Sequence, residues 1–262
     1  MKILIAKSIF CPNTENLNIT LSSLVKIDTY FKMLNIHYDL LLIGWINTFE
    51  KDITGLLKLH PFYYTNITKI YWNINYGKYK IINTIKQFLN NKDYDLLLYF
   101  DHDVHIRILC DEAISHITTL LSLKINDKIP GLLVFNQKKD VRHQPDIYEN
   151  QLILQNIQVC YPSNIASIAT GGFAINVKIY CQMPDLELIS VYGLDDYYLL
   201  KSINDMGFIN IILMNDYIIH PFRDNKHYSQ WKYNIISDLI TNKYNSNYFQ
   251  SIENSINFWN NN

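Results

Sequence analysis

The strongest chemical signal in the chain is a pair of carboxylates, Asp101 and Asp103, separated by His102. The pair directly follows the apolar run LLLYF, which is typical of a buried strand. Two carboxylates at a strand end can reach one divalent cation, and Mg²⁺ and Mn²⁺ prefer such oxygen ligands while keeping positions open for phosphate oxygens. The pair therefore predicts a metal site, with a solvated acidic turn as the ordinary alternative.

Residues of three further segments could line the same site. Asp195 and Asp196 open a helical segment, where a carboxylate is usually a cap but can also act as a general base. Gly171 and Gly172 precede the run FAINV, and paired glycines let a backbone turn sharply or approach a ligand closely. His220 follows the apolar run YII, and it is either a third metal ligand or a packed core histidine.

A fourth segment, NYGKYKIIN at 75–83, opens an amphipathic helix. Asn75, Gly77 and Lys78 at its start are candidate ligand contacts. Because 90 of the 262 residues are Ile, Asn or Tyr, the asparagine alone carries little information.

Alternating strands and helices would bring these segments together. Apolar runs typical of strands occur at 2–9, 38–43, 67–74 and 95–100, and helical spacing occurs between them at 15–32 and 78–89. This alternation predicts an α/β fold with a Rossmann-like, mostly parallel sheet covered by helices on both faces. Ligands of such sheets bind at the carboxyl ends of the strands, where Asp101 and Asp103 fall.

The second half is predicted to be a smaller unit with shorter elements. Strands are expected at 131–135, 172–179 and 208–214, a helix at 195–206, a β-hairpin at 151–160 and a polar loop at 136–150. Beyond residue 225 the chain becomes Asn-rich and helical. The apolar positions there could pack on the body or on a second subunit, so we expect a monomer or a homodimer.

Composition excludes several classes of protein. The 23 basic and 24 acidic residues give a net charge of −1, which argues against broad binding of nucleic acid. No run of 18 apolar residues occurs, so no membrane span is expected. The four cysteines form no C-x-x-C pair, which excludes a zinc knuckle and favours reduced thiols in a cytoplasmic protein. The start, MKILIAKSIF, is interpreted as a strand rather than a signal peptide.

Taken in order, six segments resemble the GT-A fold glycosyltransferases, and most closely the inverting family 2 enzymes. The segments are ENLNITLSSL (15–24), NYGKYKIIN (75–83), YDLLLYFDHDV (94–104), TGGFAI (170–175), GLDDYYLLKSINDMGF (193–208) and IIHPF (218–222). The resemblance implies a glycosyltransferase domain over 1–225, with a nucleotide-sugar-binding half at 1–105 and an acceptor half at 106–225. Residues 226–262 would then be a helical extension.

By this resemblance, the substrate is a nucleotide-diphosphate sugar, with a UDP-sugar as the first expectation. The sugar passes to an acceptor hydroxyl of a glycan, a protein or a lipid-linked molecule. Asp103 would bind Mn²⁺ or Mg²⁺ directly, Asp101 would touch the ribose or share the metal through water, and His220 would be the third ligand. The metal would neutralise the diphosphate leaving group.

The resemblance also implies donor contacts from Asn75, Gly77, Lys78, Gly171 and Gly172. The general base of the family lies in an acidic-Asp-x-x-Leu pattern. Asp196 has Leu199 at the matching offset, so we assign Asp196 as the base and Asp195 as the supporting acidic residue.

One departure from the family concerns the nucleobase. The second strand of the family usually ends in an acidic residue that reads the base, whereas here it ends in Gly44 and Trp45. Trp45 could stack on the base or belong to the core. Two alternatives stay open, a retaining GT-A transferase and a non-catalytic nucleotide-sugar- or glycan-binding subunit of the same fold. The stereochemistry of the product separates the first of these from an inverting enzyme.

Overall fold

The predicted alternation of strands and helices is present in the first hundred residues of the computed structural model. The structure describes residues 1–46, 53, 55, 57–58, 60–108, 113–139, 151–161, 165, 168–220, 226–241 and 248–261. The first elements are β1 (Ile3–Cys11), α1 (Thr14–Met33), β2 (Asp39–Ile46), β3 (Ile67–Trp72), α2 (Gly77–Leu89) and β4 (Leu96–Phe100).

The second half contains both predicted and unpredicted elements. They are β5 (His105–Ile108), α3 (Ala113–Leu120), β6 (Pro130–Lys139), β7 (Gln151–Leu154), β8 (Ile157–Cys160), β9 (Gly172–Asn176), α4 (Val177–Gln182), α5 (Asp195–Asp205) and β10 (Ile209–His220). The hairpin prediction is confirmed, because β7 and β8 pair antiparallel across Gln155 and Asn156. Both turn residues have positive φ, as a tight hairpin turn requires.

The loop prediction for 136–150 is wrong at its start. Residues 136–139 continue β6, because they pair with the second part of β10, from Asn136 opposite Tyr217 to Lys139 opposite His220. This pairing is a tertiary contact that local polarity does not reveal. Residues 140–150 lie outside the described residues. Strand β5 and helices α3 and α4 had no counterpart in the predictions. The strand predicted at 172–179 ends at Asn176, whose side chain caps α4 by accepting the Lys178 N–H.

The described strands form one sheet in the order β3-β2-β1-β4-β9-β6-β10-β8-β7, with β5 pairing on β10. Parallel ladders join β3, β2, β1 and β4, and a further parallel ladder joins β6 and β10. Strand β9 runs antiparallel between β4 and β6. The prediction of a mostly parallel sheet is confirmed.

Two buried clusters show that helices cover both faces of the sheet. Alternate residues of β1 point to opposite faces, so that Ile3 and Ile5 join the cluster that includes α1 and α3. Leu4 and Ala6 join the cluster that includes α2, α4 and α5. This two-sided burial explains why β1, β2 and β4 are nearly continuous apolar runs.

The last two helices are α6 (Lys226–Thr241) and α7 (Tyr248–Asn261). They share a third buried cluster with the segment before α5, through Ile235 and Leu239 of α6, Ile252 of α7, and Ile189 and Val191. These three apolar positions of the tail therefore pack on the body of the same chain, whereas Phe249 and Ile256 are exposed. Among the described helices, none is both long enough and apolar enough to cross a membrane.

Candidate active site

A cavity of about 480 Å³ opens at the carboxyl ends of β1, β2 and β4. Its volume is within the range of small-molecule binding sites. Eight of the ten predicted site residues line it, namely Asn75, Gly77, Lys78, Asp101, Asp103, Gly171, Asp195 and Asp196. The structure thus brings together segments that are more than a hundred residues apart.

Asp101 stands at the start of the turn that follows β4. Its backbone N–H donates to the Gly171 carbonyl at 2.8 Å, and its carbonyl accepts from the Val104 N–H at 3.2 Å. One carboxylate oxygen accepts from the Tyr99 hydroxyl at 2.6 Å, and the other lies 3.3 Å from the Lys78 ammonium. Burial raises the pKa of Asp101, and the positive charge of Lys78 acts against that rise.

A buried lysine lies beneath this turn. The Lys7 ammonium, on β1, donates to the Asp101 carbonyl and to the Ser23 hydroxyl of α1 at 2.7 Å. Ser23 in turn donates to the Val104 carbonyl. Burial lowers the pKa of Lys7 to about 7, although the charges of Asp103 and Asp101 oppose this shift. Sequence analysis missed this anchor, because a lysine inside an apolar run gives no sign of its partner.

Asp103 is only 4% exposed. One of its carboxylate oxygens lies 3.7 Å from His102 Nε2. Asp101 and Asp103 both line the cavity. That they bind one metal ion stays a prediction. The side chain of His220 is outside the described part of the chain, although its backbone ends β10 opposite Lys139. Its predicted role as third ligand stays a prediction.

The second pair of carboxylates begins α5 after a strained turn. Gly193 and Leu194 both have positive φ, at 99° and 60°, and Leu194 is the N-cap residue. Asp195 accepts the Gly193 N–H at 3.2 Å and therefore closes this turn. Asp196 takes no part in capping, and its carboxylate accepts from the Thr170 hydroxyl.

The Lys78 ammonium lies between the two acidic pairs. It is 2.8 Å from Asp196 Oδ1, 3.3 Å from Asp101 Oδ2 and 3.8 Å from Asp195 Oδ2. It also donates to the Thr170 carbonyl at 3.1 Å. Burial alone would lower the pKa of Lys78, but the carboxylates, Asp101 first, outweigh it and hold that pKa well above its usual range.

The two helix-start carboxyls respond differently to this environment. Burial, with repulsion from Asp196, raises the pKa of Asp195 to about 6. Burial would also raise the pKa of Asp196, but the Lys78 ammonium and hydrogen bonds from Lys78 and Thr170 outweigh it and lower that pKa. The Asp196 side chain is 33% exposed and that of Asp195 only 13%, so Asp196 is the more accessible from the cavity.

Three other predicted residues have structural roles in the fold. The Asn75 side chain accepts the Gly77 N–H at 3.0 Å and so shapes the start of α2. Gly77 has φ of 76°, and a Cβ there would lie 2.4 Å from the Val191 carbonyl oxygen, so the position requires glycine. Gly172 pairs with Phe100 in the ladder between β9 and β4 and is absent from the lining of the cavity.

The lining of the cavity includes an aromatic group and a charged group of residues, which we call its aromatic end and its charged end. Phe10 and Trp45, at the ends of β1 and β2, line it with Trp72, Tyr76 and, from α6, Trp231. The charged end holds four carboxylates and Lys78, and Lys232 of α6 also lines the wall, over the ring of Tyr192. Sequence analysis did not predict that α6 contributes to this wall.

The charge balance of the lining decides which ligands fit. Among the described residues of the lining, four carboxylates face two ammonium groups, so this part of the wall carries excess negative charge. A bare anionic ligand would be repelled, whereas a hard divalent cation fits the oxygen donors of Asp101 and Asp103. Within the described side chains, no group of three or more His, Cys, Asp and Glu residues is arranged to hold a metal. Asp101 and Asp103 are therefore the candidate metal ligands among the described residues. Further ligands would come from the substrate or from residues that the structure does not describe.

Comparisons with known proteins rest on structure alone. No protein-family model and no curated protein sequence matches the chain. The chain is similar to the S. aureus TarS fragment 1–349 solved with UDP-GlcNAc, with a TM-score of 0.55 and 13% identity over 87% of this chain and 61% of that one. It is similar to GalNAc-T7 solved with UDP, GalNAc and Mn²⁺, with a TM-score of 0.55 and 13% identity over 85% and 43%.

A third similar structure is the mannosyltransferase PcManGT from Pyrobaculum calidifontis, solved with GDP-Man and Mn²⁺. Its TM-score is 0.56 and its identity 10%, over 88% of this chain and 60% of that one. This chain spans less than two thirds of the length of each of these three proteins. At such low identities the likeness concerns architecture. The chain has the GT-A fold.

Proposed function

We propose that the protein is a metal-dependent glycosyltransferase that moves a sugar from a nucleoside-diphosphate sugar to an acceptor hydroxyl with inversion. The observation that carries the proposal is that one cavity holds the Asp101–Asp103 turn and Asp196, joined through the Lys78 ammonium. The GT-A fold and the UDP-, GDP- and Mn²⁺-bound states of the similar structures support it. A UDP-sugar is the first donor to test.

In this proposal, Asp101 and Asp103 hold Mn²⁺ or Mg²⁺. The metal, when bound, supplies positive charge against the diphosphate leaving group. Lys78 adds a fixed ammonium beside Asp101. Tyr99 and Lys7 orient the turn, one from its carboxylate side and one from its carbonyl side. Asn75, Gly77 and Gly171 complete the proposed donor contacts, whereas Gly172 does not line the cavity and belongs to the β9–β4 ladder. His220 remains the proposed third ligand.

Asp196 is the proposed general base, and Asp195 supports it. A general base must be accessible and deprotonated. The Asp196 side chain is 33% exposed, and its lowered pKa keeps it deprotonated at neutral pH. Asp195 has the pKa nearer to neutral, but it is committed to the Gly193 N–H and is less exposed. Asp196 would take the proton of the acceptor hydroxyl while that oxygen attacks the anomeric carbon from the face opposite the leaving diphosphate.

The donor spans the cavity in this proposal. The diphosphate lies at the charged end, and the flat nucleobase lies at the aromatic end against Phe10 and Trp45. In this proposal the two rings take the place of the acidic residue that reads the nucleobase in similar enzymes, because β2 has no acidic residue at its end. The acceptor, a glycan, protein or lipid-linked hydroxyl, enters from the side of Asp196.

A thermal-shift panel with UDP, GDP, CDP and TDP, each with and without Mn²⁺, tests the proposal. A ligand at a hundred times its dissociation constant adds about 2.7 kcal/mol to the free energy of unfolding. We expect one diphosphate to raise Tm only when Mn²⁺ is present. Absence of any shift would contradict nucleotide-sugar transfer and favour a non-catalytic role. The anomeric configuration of the product, read by NMR, separates inversion from retention.

A further inference from the structure

The C-terminal helix α7 is built into the aromatic end of the cavity. The Phe10 ring centroid lies 5.3 Å from that of Trp45 and 5.2 Å from that of Trp259, with both contacts edge-to-face. The Trp45 and Trp259 centroids are 6.2 Å apart. The rings of Phe10, Trp45 and Trp259 thus form a triangular cluster in which each ring contacts the other two.

The face of α7 that carries Trp259 contacts the body of the protein along the whole helix. Tyr248 donates to the Tyr76 carbonyl at 2.7 Å. Ser251 accepts the Val191 N–H at 3.1 Å, and Ser255 accepts from Asn75 Nδ2 at 3.3 Å. These positions and Trp259 recur at helical spacing, so they share one face of the helix. Three of the residues they contact, Asn75, Tyr76 and Val191, themselves line the cavity.

The opposite face of α7 offers an internal comparison. The Phe249 side chain, next to Tyr248, is 73% exposed. Its ring contacts Tyr248 on its own helix. It has the same chemical character as the aromatic residues of the docked face but lies away from the cavity. Substituting it tests the general effect of losing an aromatic side chain from α7.

We propose that α7 is part of the nucleotide site, because Trp259 fixes the Phe10 and Trp45 rings that receive the flat base of the bound nucleotide. This inference rests on the proposed function. The nucleotide has a charged diphosphate and a flat base that can stack, and the cavity has a charged end and an aromatic end. Trp259 is absent from the lining itself, so it is a positioning residue that acts through Phe10 and Trp45.

Isothermal titration with two probes separates the two ends of the site. UDP with Mn²⁺ engages both ends, whereas inorganic pyrophosphate with Mn²⁺ engages only the charged end. We expect Trp259→Ala to weaken UDP binding about tenfold and to leave pyrophosphate binding within about twofold of wild type. Phe249→Ala should leave both unchanged, and Trp259→Phe should weaken UDP binding less than the alanine variant does.

Each other outcome has a definite meaning. Unchanged UDP binding in Trp259→Ala, or equal weakening of both probes, would overturn the role of Trp259 in the base site. If Trp259→Ala does not fold, as judged by circular dichroism, Trp259→Phe decides by the same comparison of the two probes. A wild type that binds pyrophosphate as tightly as UDP would overturn base binding at the aromatic end. A wild type that binds neither probe with Mn²⁺ contradicts the proposed function itself.

Discussion

A Lys78→Met substitution removes the ammonium group that three carboxylates share at the charged end of the cavity. The three oxygens lie 2.8, 3.3 and 3.8 Å from Lys78 Nζ, and the lysine side chain is only 13% exposed. Removing one partner of a buried ion pair typically costs about 3–5 kcal/mol. Methionine keeps most of the apolar stem, so the loss of charge dominates the effect.

Proton uptake sets an upper bound on this cost. Protonating a carboxyl of ordinary pKa at pH 7 costs about 4 kcal/mol, at 1.36 kcal/mol per pH unit. One bound proton restores the net charge that the three carboxylates and the ammonium carry together in the wild type. We therefore expect the variant to lose about 3–4 kcal/mol of its free energy of unfolding at pH 7.

The pH dependence follows from the direction of the pKa shifts. Lys78 is the charge that opposes the rise in the pKa of Asp101 and Asp195 and lowers the pKa of Asp196. Without it, all three carboxyls have a pKa in the folded state above that in the unfolded state. Their protonated forms are then favoured by folding, so the destabilisation is greatest at neutral pH and is relieved as pH falls through the folded-state pKa values.

Urea denaturation at pH 7 and pH 5 measures both effects, and Lys86→Met is the matched control. Lys86 lies on the same helix and pairs with Asp185 at 2.7 Å, but that aspartate is 59% exposed. Exposed pairs contribute about 0–1 kcal/mol. If Lys78→Met cost no more than Lys86→Met at pH 7, or if its cost did not shrink at pH 5, the reasoning about this charge cluster would be refuted.

Three further predictions concern single side chains. Asp103→Asn should remove the Mn²⁺-dependent part of UDP binding in titration calorimetry while leaving Tm within a few degrees of wild type, and undiminished binding would exclude Asp103 as a ligand. Thr170→Val should slow the release of UDP from the donor about tenfold and leave the affinity for UDP unchanged, because Asp196 loses a hydrogen bond that orients it. Thr170→Ser keeps the hydroxyl and should restore the rate. An equal loss in the serine variant would show that the hydroxyl is irrelevant. Burial holds the pKa of Lys7 at about 7, below its value in the unfolded chain, so folding releases this proton between about pH 7 and 10. The free energy of unfolding of wild type should therefore rise by up to about 2 kcal/mol relative to that of Lys7→Met from pH 7 to pH 9. Parallel urea titrations that show no such divergence would contradict a buried, titrating lysine.

The first half of the fold was predictable because its signals are local. Continuous apolar runs, helical spacing and the abrupt change from LLLYF to DHD place β4 and Asp101 without knowledge of the partners. Asp195 and Asp196 were predicted in the same way, from their place at a helix start. The parallel order of strands then brings the carboxylates to one edge of the sheet.

The remainder depends on contacts between distant parts of the chain. Lys7 is a lone charge in an apolar strand, and only the folded turn at Asp101 supplies its partner. Thr170 precedes Gly171 and Gly172, which form the recognisable motif of that segment. Its hydroxyl contacts Asp196 only in the folded structure, because the two residues are 26 positions apart. The contact of Trp259 with Phe10 joins the two ends of the chain, and no periodicity within either segment indicates it.

Release of UDP from UDP-sugars at saturating Mn²⁺, compared between wild type and Asp196→Asn, tests the central claim most directly. UDP-GlcNAc is the first donor, water serves as the acceptor, and UDP affinity is measured on the same samples. A positioned general base contributes about 10²–10⁴ in rate. We expect the variant to release UDP at least about a hundredfold more slowly than wild type and to bind UDP as wild type does. A variant that releases UDP at a rate near that of wild type would contradict the assignment of Asp196 and, with it, the proposed mechanism.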